Sequence, residues 1–366
     1  MKKAALYDPY LNTLGGGEKH ILSILKVLED EGFEINIFWD KNLQSQIENR
    51  FRLQFVNKLR VLPNIFNNLG SNNPQGLLKK LITLKGFDIF FYVTDGSYFF
   101  SSAKKNYVFC MVPNKNLYKR SLINKLKTFN YRFITNSYFT QNWLKKWEIK
   151  SEVIYPYLNQ DFIDIKIDNL KKENIILSVG RFYGHLHSKK QSILINLFNK
   201  LKQTNDMFKD FKLILAGGLK EEDKSYFAEL ESSIKNNPDI LLKPNLSYSE
   251  LFELYKKSKI YIHLAGFGVD ENKNPEQVEH LGIAPLEAIA SGCLTFCYNA
   301  GGPKEIIENE KKGFLFNSQE ELISMLSNTQ LNKKKLGQIK INAKKFAVNN
   351  FNYKIFSKKV KELLLI

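Results

Sequence analysis

The sequence predicts an α/β protein built from two doubly wound parallel sheets, and three observations lead to this prediction. Short apolar strands alternate with segments of helical periodicity, which is the pattern of repeated strand–helix–strand units. A polar, charged stretch at residues 161–173 reads as a linker, after which the alternation resumes. The length of 366 residues fits two domains of ordinary size, and a hydrophobic content of 43% is enough to fill their cores.

The first predicted domain covers residues 1–162. It begins with an apolar strand, Lys3–Tyr7, followed by a glycine loop and by a helix over Glu18–Glu31, in which leucine and isoleucine recur at helical spacing. Gly32 is a suitable residue to end that helix. The other strands predicted for this domain are Glu34–Trp39, Asp88–Val93, Tyr107–Met111 and Phe133–Thr135.

The second predicted domain covers residues 163–345. Helical patterns lie between its apolar segments, so a second parallel sheet is expected. The chain continues with helical periodicity from Leu331 to Ile366, and we expect the last helix, 346–366, to pack back on the first domain. The strands predicted for the second domain are Asn174–Val179, Lys212–Ala216, Ile240–Lys243, Lys259–Leu264 and Leu294–Tyr298.

The chain is strongly basic, with a net charge of +17, and this charge is unevenly placed. Residues 101–150 hold eleven lysines and arginines against one glutamate, a net charge of +10. Such a concentration is expected to attract an anionic partner: membrane lipid, a lipid diphosphate or nucleic acid. The alternative is a lysine-rich, solvated face without a partner.

Cysteine content and the first residues favour a cytosolic protein. The three cysteines form neither a disulfide framework nor a CxxC motif for zinc. Asp8 and Pro9 interrupt the apolar residues near the N-terminus, so no signal segment is expected there. No apolar run approaches the roughly 20 residues that a membrane-spanning helix needs.

The stretch EHLGIAPLEAIASG, which begins at Glu279, carries the strongest functional signal. Its glycine and proline predict a loop that turns into a helix. The backbone amides around Gly282, Ile283 and Ala284 would then form an anion site at the helix N-terminus. Glu279 lies just before this site and Glu287 is expected in the first helical turn, where the helix dipole alone would also favour an acidic residue. Amides for phosphate and carboxylates for hydroxyl groups together suit a nucleotide-sugar.

A basic loop, VGRFYGHLHSKKQ, follows the predicted strand Asn174–Val179. Arg181 would emerge at the carboxyl end of the strand, where ligands bind in open sheets. Lys189 and Lys190 close the same loop, so an arginine and a lysine could converge on a diphosphate. A solvated basic loop is the alternative, and His185 and His187 are expected to be loop surface rather than ligands.

Three other loops follow predicted strands. Gly16 and Gly17 lie in the first glycine loop and could let backbone amides approach a phosphate, although the GxGxxG spacing is absent and a plain turn is the alternative. Gly217, in an AGG turn, could admit a base or ribose, or simply turn the chain. His263 ends another strand and could face a ligand, or be a satisfied structural histidine.

Together these motifs resemble the retaining glycosyltransferases of family 4, the "group 1" class with a GT-B fold. Each motif is weak alone, but their order along most of the chain is specific. The motifs are GGGE at 15–18, TDGS at 94–97, TNS at 135–137, VIYP at 153–156, VGR and KKQ within 179–191, LAGG at 215–218, the glutamate pair and AGGPKEI at 300–306.

The resemblance implies two Rossmann-like domains facing a central cleft, and it implies roles for the motif residues. Arg181 and Lys190 would clamp the donor diphosphate, with Lys189 as the rival for the second role. Glu279 would hold the donor sugar and Glu287 the ribose hydroxyl groups.

The glycine motifs receive roles in the same way. The amides at 282–284 would meet phosphate or sugar, and Gly16 and Gly17 would approach the donor from the opposite domain. No metal or other cofactor is implied, since cations and a helix end take the place of a metal.

One departure concerns the strand Tyr107–Met111. Family members often have a histidine just before the proline that follows this strand, whereas this chain reads FCMVP. A proton-transfer role for that histidine is therefore in doubt, and Asp95 in TDGS is a candidate substitute. The resemblance also allows the leaving phosphate to take the acceptor proton without a dedicated base.

These observations predict a cytosolic enzyme that transfers a hexose from a nucleotide-sugar to a hydroxyl of a glycan or lipid-linked acceptor, with retention. Segment 101–150 would then lie on the anionic inner face of a membrane. The alternatives are a GT-B epimerase or phosphorylase, a non-catalytic nucleic-acid-binding protein, for which no motif is visible, and an NAD-dependent oxidoreductase, whose fingerprint is missing. The donor base, the sugar and the acceptor stay open.

Overall fold

The computed structural model describes residues 1–66, 74–184, 188–328 and 333–365. The chain divides into two compact units, Met1–Pro156 with Lys354–Ile366, and Tyr157–Tyr353. Each unit contains one parallel sheet, which confirms the predicted fold class. The stretch 161–173, which we expected to be a linker, lies inside the second unit.

The described residues of the first unit form seven strands. They are β1 (Lys3–Tyr7), β2 (Glu34–Phe38), β3 (Arg60–Leu62), β4 (Ile89–Val93), β5 (Lys105–Cys110), β6 (Tyr131–Thr135) and β7 (Ser151–Val153). All pairings are parallel and the order is β3-β2-β1-β4-β5-β6-β7. Because helices cover both faces of such a sheet, its inner strands are unbroken apolar runs. Strand β4, with the sequence IFFYV, is buried at every position.

The described residues of the first unit form five α-helices before residue 156. They are α1 (Gly16–Asp30), α2 (Gln44–Phe51), α3 (Pro74–Leu84), α4 (Leu122–Lys127) and α5 (Tyr138–Lys146). Helix α1 begins two residues before the predicted helix because Glu18 caps it. The Glu18 Oε2 atom accepts hydrogen bonds from Gly15 N at 2.6 Å and from Thr13 Oγ1 at 2.5 Å.

In the second unit, the part of the chain that the structure describes forms six strands. They are β8 (Glu173–Val179), β9 (Lys212–Gly217), β10 (Ile240–Pro244), β11 (Ser258–His263), β12 (Leu294–Tyr298) and β13 (Phe314–Phe316). Their order is β10-β9-β8-β11-β12-β13, again with parallel pairing. The helices are α6 (Gln160–Asp164), α7 (Gln191–Thr204), α8 (Lys224–Ile234), α9 (Tyr248–Lys257), α10 (Ile283–Ala290), α11 (Pro303–Ile306), α12 (Gln319–Ser327) and α13 (Lys333–Asn350).

A last helix, α14 (Tyr353–Leu364), follows α13 after a break at residues 351–352. From Lys354 onward it belongs to the first unit. Its C-terminal end accepts a hydrogen bond of 2.8 Å from Lys105 Nζ to the Leu364 carbonyl oxygen. Phe356 is buried beside His20 of α1, so this helix supplies apolar contacts to the first unit.

Candidate active site

The parallel sheet of the second unit brings the predicted site residues to one edge. Strands β9, β8 and β11 are neighbours, so their carboxyl ends lie side by side. Arg181 follows β8, Gly217 is the last residue of β9 and His263 is the last residue of β11. Ligands of open parallel sheets bind at this edge.

The Glu279 carboxylate joins two of these segments. Its Oε2 atom lies 2.5 Å from Lys189 Nζ and 2.8 Å from His263 Nε2. The Glu279 side chain is 17% exposed, and His263 is buried. A carboxylate with so little access to water needs such partners, because an unpaired buried charge is costly.

The lysine decides the charge state of Glu279. Burial alone would raise the pKa of this carboxyl group, but the charge of Lys189 and the hydrogen bond with His263 hold the pKa well below its usual value. Glu279 is therefore ionised at neutral pH. It can accept hydrogen bonds and stabilise positive charge, and it is unsuited to donate a proton.

His263 is oriented from its other nitrogen. The Tyr261 hydroxyl lies 3.2 Å from His263 Nδ1 and 3.5 Å from the Val179 carbonyl oxygen. Burial lowers the pKa of His263, so the ring is neutral at neutral pH. The neutral ring satisfies both contacts when Nε2 donates to Glu279 and Nδ1 accepts from Tyr261.

Tyr261 is a site residue that our sequence prediction missed. Residues two apart on a strand point to the same face of the sheet, so Tyr261 and His263 face the same side. That spacing is visible in the sequence. What could not be read there is that both side chains lie beside Glu279.

Two glycines allow the strand ends to meet closely. A Cβ on Gly217 would overlap the Gly180 carbonyl oxygen, and a Cβ on Gly180 would overlap the aliphatic part of Lys189. The stem of Lys189 thus lies against bare backbone, with its ammonium group on Glu279. The glycine at 217 is required here by close packing of two strand ends.

Helix α10 has an open N-terminus. Gly282 is its N-cap, with a left-handed φ of +101°, and it provides no side-chain cap. Within the described chain, the amides of Gly282, Ile283 and Ala284 have no hydrogen-bond acceptor. A Cβ on Gly282 would be 3.5 Å from Glu279 Cγ, so the glutamate side chain lies beside these amides.

Glu287 is placed differently from our prediction. It is the fifth residue of α10 and therefore lies in the second turn, because the helix begins at Ile283 rather than near the proline. Its charge acts on Tyr255: burial first and then Glu287 raise the pKa of that hydroxyl well above its usual value. The Tyr255 hydroxyl also donates to the Ala284 carbonyl oxygen at 3.3 Å.

The two lysines of the basic loop occupy different positions. Lys189 reaches Glu279, whereas Lys190, which we ranked first, is the N-cap of α7 with a left-handed φ of +56°. The Arg181 guanidinium stacks over the Tyr183 ring, 4.2 Å from its centroid. His185 and His187 lie outside the described residues.

The loop at residues 300–302 contacts the backbone of Glu279. Gly302 N donates to the Glu279 carbonyl oxygen at 2.8 Å, and Gly301 N donates to Glu271 Oε2 at 2.6 Å. Cβ atoms at these two positions would overlap the Glu279 and His280 carbonyl oxygens. We quoted the AGG motif at 300–302 without assigning it this role.

The remaining predicted site residues belong to the first unit. Gly16 and Gly17 begin α1, and a Cβ on Gly17 would overlap the Met111 sulfur atom. Asp95 Oδ1 accepts hydrogen bonds from the Tyr92 hydroxyl at 2.6 Å and from Ser97 N at 2.8 Å. These bonds hold Asp95 in its own turn.

The described residues contain neither a metal-binding cluster nor a membrane-spanning helix. No group of three or more His, Cys, Asp or Glu side chains is arranged to hold a metal ion among them. In the same part of the chain, no helix is long and apolar enough to span a bilayer.

The family model described as "Glycosyl transferases group 1" matches residues 159–346, just over half of the chain. Among curated proteins, the chain is 29% identical over 203 residues to "GDP-Man:Man(3)GlcNAc(2)-PP-Dol alpha-1,2-mannosyltransferase" of Mus musculus, which covers 51% of this chain and 38% of that protein. It is 28% identical over 203 residues to "Alpha-1,3/1,6-mannosyltransferase ALG2" of Homo sapiens, covering 50% and 45%. The matches span less than half the length of these relatives.

Solved structures match the whole chain at low identity. A glycosyltransferase from Rickettsia africae aligns with a TM-score of 0.72 and 19% identity, covering 100% of this chain and 98% of the other. Anabaena HepE in complex with UDP and glucose aligns with a TM-score of 0.70 and 18% identity, covering 100% and 99%. At such identities the matches establish a shared fold.

Proposed function

The chain belongs to the group 1 glycosyl transferases, and we propose that it is a retaining enzyme of family 4 that transfers a hexose from a nucleotide-sugar to a hydroxyl of a glycan or lipid-linked acceptor. One observation carries the proposal. An ionised, nearly buried Glu279 lies beside the open amides of α10 and is paired with Lys189. This combination suits a sugar attached to a diphosphate.

In the proposed donor complex, the diphosphate takes the positive partners. Arg181 and Lys189 would contact its oxygens, and the open amides of α10 would meet phosphate or sugar. Lys189 replaces Lys190 as our first choice, because Lys189 is joined to Glu279 and lies against Gly180. An ammonium group has three donors, so Lys189 could contact a diphosphate oxygen and still hold Glu279 Oε2, while Glu279 Oε1 accepts from sugar hydroxyls.

The proposed reaction exchanges two carbon–oxygen bonds on one face of the sugar. The bond between the anomeric carbon and the phosphate oxygen breaks, and the acceptor oxygen bonds to the same carbon. The acceptor proton passes to the leaving phosphate. Glu279 would stabilise positive charge at the sugar, while Arg181, Lys189 and the amides of α10 stabilise the negative leaving group.

The relatives guide the choice of substrates to test. The names of the two mannosyltransferases support a mannosyl donor, and one name includes GDP-Man with a glycan on PP-Dol. The HepE structure holds UDP and glucose instead. We therefore propose that the donor carries a hexose and that the acceptor is a glycan carried on a lipid diphosphate. We also propose that the enzyme acts at a membrane surface. The basic segment 101–150 supports that location.

A thermal-shift panel tests the donor first. GDP, UDP, ADP and their hexosyl derivatives are added in the presence of EDTA, because we propose that no metal is needed. A ligand at 100 times its Kd stabilises the folded protein by about 2.7 kcal/mol, so the correct base stands out. If no nucleoside diphosphate raises the melting temperature, the donor assignment is wrong.

The anomeric configuration of the product tests retention. The binding nucleotide-sugar is incubated with a polyprenyl-diphosphate glycan, and the configuration at the new anomeric carbon is determined by NMR from the one-bond coupling between that carbon and its proton. A product with the configuration of the donor supports the proposal, and an inverted product rejects it. Epimerised sugar formed without acceptor would point to the alternative reaction.

A further inference from the structure

Helix α4 of the first unit places apolar side chains in solvent. None of its residues is buried, although its sequence is LINKLK. Leu122, Ile123, Leu126 and the following Phe129 are each between 62% and 80% exposed. A soluble surface rarely shows a contiguous apolar group of this kind without a binding role.

Helix α3 adds two exposed residues beside this group. Leu78 and Ile82 are 59% and 67% exposed, and a spacing of four residues puts them on one helix face. The Ser102 hydroxyl donates to the Leu81 carbonyl oxygen of α3. Asn130, next to Phe129, donates to the Ser101 carbonyl oxygen at 2.9 Å. These bonds tie α3 and the end of the α4 segment to the same short loop.

The charge around these residues has one sign. Residues 74–85 and 111–132 contain no acidic residue, and nine lysines and arginines lie within them. The exposed cations among them are Lys79, Lys85, Lys115, Lys119, Arg120, Lys125 and Arg132. Exposed apolar side chains surrounded by cations are the features of a segment that lies in the interface of an anionic bilayer.

We propose that the α3–α4 surface, formed by Leu78, Ile82, Leu122, Ile123, Leu126 and Phe129 with the flanking cations, docks on an anionic lipid bilayer. The apolar side chains enter the boundary between headgroups and acyl chains, and the cations contact lipid phosphates. The inference rests on the membrane location given in the proposed function and names the residues that make the contact, although docking itself needs neither donor nor acceptor.

The charge argues for a bilayer over other partners. A second copy of the same surface would bring like charges together across a two-fold axis, which opposes association. Nucleic acid would satisfy the cations, but phosphate offers nothing to leucine and phenylalanine side chains. An anionic bilayer satisfies both kinds of group at once.

Vesicle flotation measures the docking. The full chain is mixed with vesicles of phosphatidylcholine alone or with 30% phosphatidylglycerol, a composition chosen for about one anionic lipid in three. We expect binding to the anionic vesicles to be at least about tenfold tighter, and to weaken in high salt. The triple variant Leu122→Ser, Leu126→Ser and Phe129→Ser should lose at least about tenfold in affinity. Val56→Ser, a change at another exposed apolar residue of the first unit, should bind as the wild type.

A thiol label shows whether the segment enters the lipid. All three native cysteines are buried, so Phe129→Cys provides an accessible thiol for an NBD dye, and Val56→Cys provides the control. Addition of anionic vesicles should shift the NBD emission at 129 to the blue and leave that at 56 unchanged.

Three results would overturn the proposal. One is vesicle binding by the triple variant equal to that of the wild type, and another is NBD emission at 129 that stays that of an aqueous dye. The third is a different partner: loss of a dimer by the triple variant in light scattering, or loss of duplex DNA binding to the same extent, would assign the surface elsewhere. Because the assays contain no sugar nucleotide, failure of the transferase assignment would leave them unaffected.

Discussion

Asp8 and Glu279 are buried carboxyl groups in different units, and their surroundings shift their pKa values in opposite directions. Asp8 follows β1 and is fully buried; its Oδ1 atom accepts from Tyr10 N at 2.9 Å, and its Oδ2 atom has no partner among the described residues. Burial, and then the charge of Glu18, raises the pKa of Asp8 well above its usual value. Glu279 has a cation within 2.5 Å, and its pKa is lowered.

The difference teaches what makes a buried acid useful to a substrate. Loss of water neutralises a carboxyl group unless a positive charge lies close to it. Asp8 has no ion-pair partner among the described residues, whereas Lys189 keeps Glu279 charged. The predictions below test this contrast, in order of expected effect.

Glu279→Gln should have the largest effect. The change keeps the shape and removes the charge, so kcat for transfer should fall by about 10²–10³-fold, the loss typical of one preorganised electrostatic group. Asp8→Asn is the matched control, since the raised pKa of Asp8 favours the neutral acid that an amide resembles, and kcat should stay within about threefold. Circular dichroism checks the fold of both variants. Equal losses in the two variants would remove the contrast.

Lys189→Met should lower kcat by about 10²-fold at neutral pH, because Glu279 loses the cation that keeps it ionised. The pKa of Glu279 should then rise, so the activity of this variant should increase with pH where that of the wild type is flat. Lys190→Met is the control, with an expected change within about threefold. A pH profile of kcat separates the two, and a larger loss for Lys190→Met would restore our original assignment of the diphosphate lysine.

Tyr261→Phe should have a smaller effect, about tenfold on kcat with KM for the donor nearly unchanged, because the hydroxyl positions His263 and does not touch substrate. Tyr255→Phe, which removes a buried hydroxyl beside Glu287 instead, should act mainly on the donor KM. Steady-state kinetics with varied donor concentration measures both. The positioning role is wrong if Tyr261→Phe changes KM alone.

The contributions of the Glu279 and Asp8 carboxyl groups to stability should depend on pH in opposite ways. The folded pKa of Glu279 lies below its unfolded value, so its stabilisation is present above about pH 4.3 and is lost as pH falls through the folded pKa. The folded pKa of Asp8 lies above its unfolded value, so stability declines as pH rises from about 3.9 through the folded pKa.

Urea unfolding from acid to neutral pH measures these slopes. Asp8→Asn should gain on the wild type as pH rises, whereas Glu279→Gln should lose ground as pH rises from the folded pKa of Glu279 to about 4.3, each by roughly 1.4 kcal/mol per unit of pKa shift. Parallel curves for wild type and both variants would contradict the assigned pKa shifts.

The core strands could be predicted from the sequence because they are unbroken apolar runs. Strands β1 and β12 have the predicted bounds, and β4 differs by one residue. The short strands β3, β7 and β13 were missed. Each has only three residues, so even the apolar sequence FLF of β13 is too short to stand out, and β3 and β7 include the polar residues Arg60 and Glu152.

The site was predictable in its residue types and less so in its pairings. The spacing of Glu279 and Glu287 and the glycine between them are local features of the chain. The pairing of Glu279 with Lys189 joins residues 90 positions apart, and it depends on Gly180 and on the left-handed backbone of Lys190. Such features come from tertiary packing, so the sequence of the loop alone could not show that Lys189 is the lysine that contacts Glu279.

Gly301 and Gly302 affect the proposed active site from outside it. Their lack of side chains lets one loop press against the main chain that carries Glu279. Any larger residue at these positions would displace Glu279 from Lys189, although the substituted residue itself would not contact a substrate. A random-mutagenesis screen should therefore find inactivating substitutions in this loop. A small molecule that displaces the loop should inhibit the enzyme without competing with the sugar substrate.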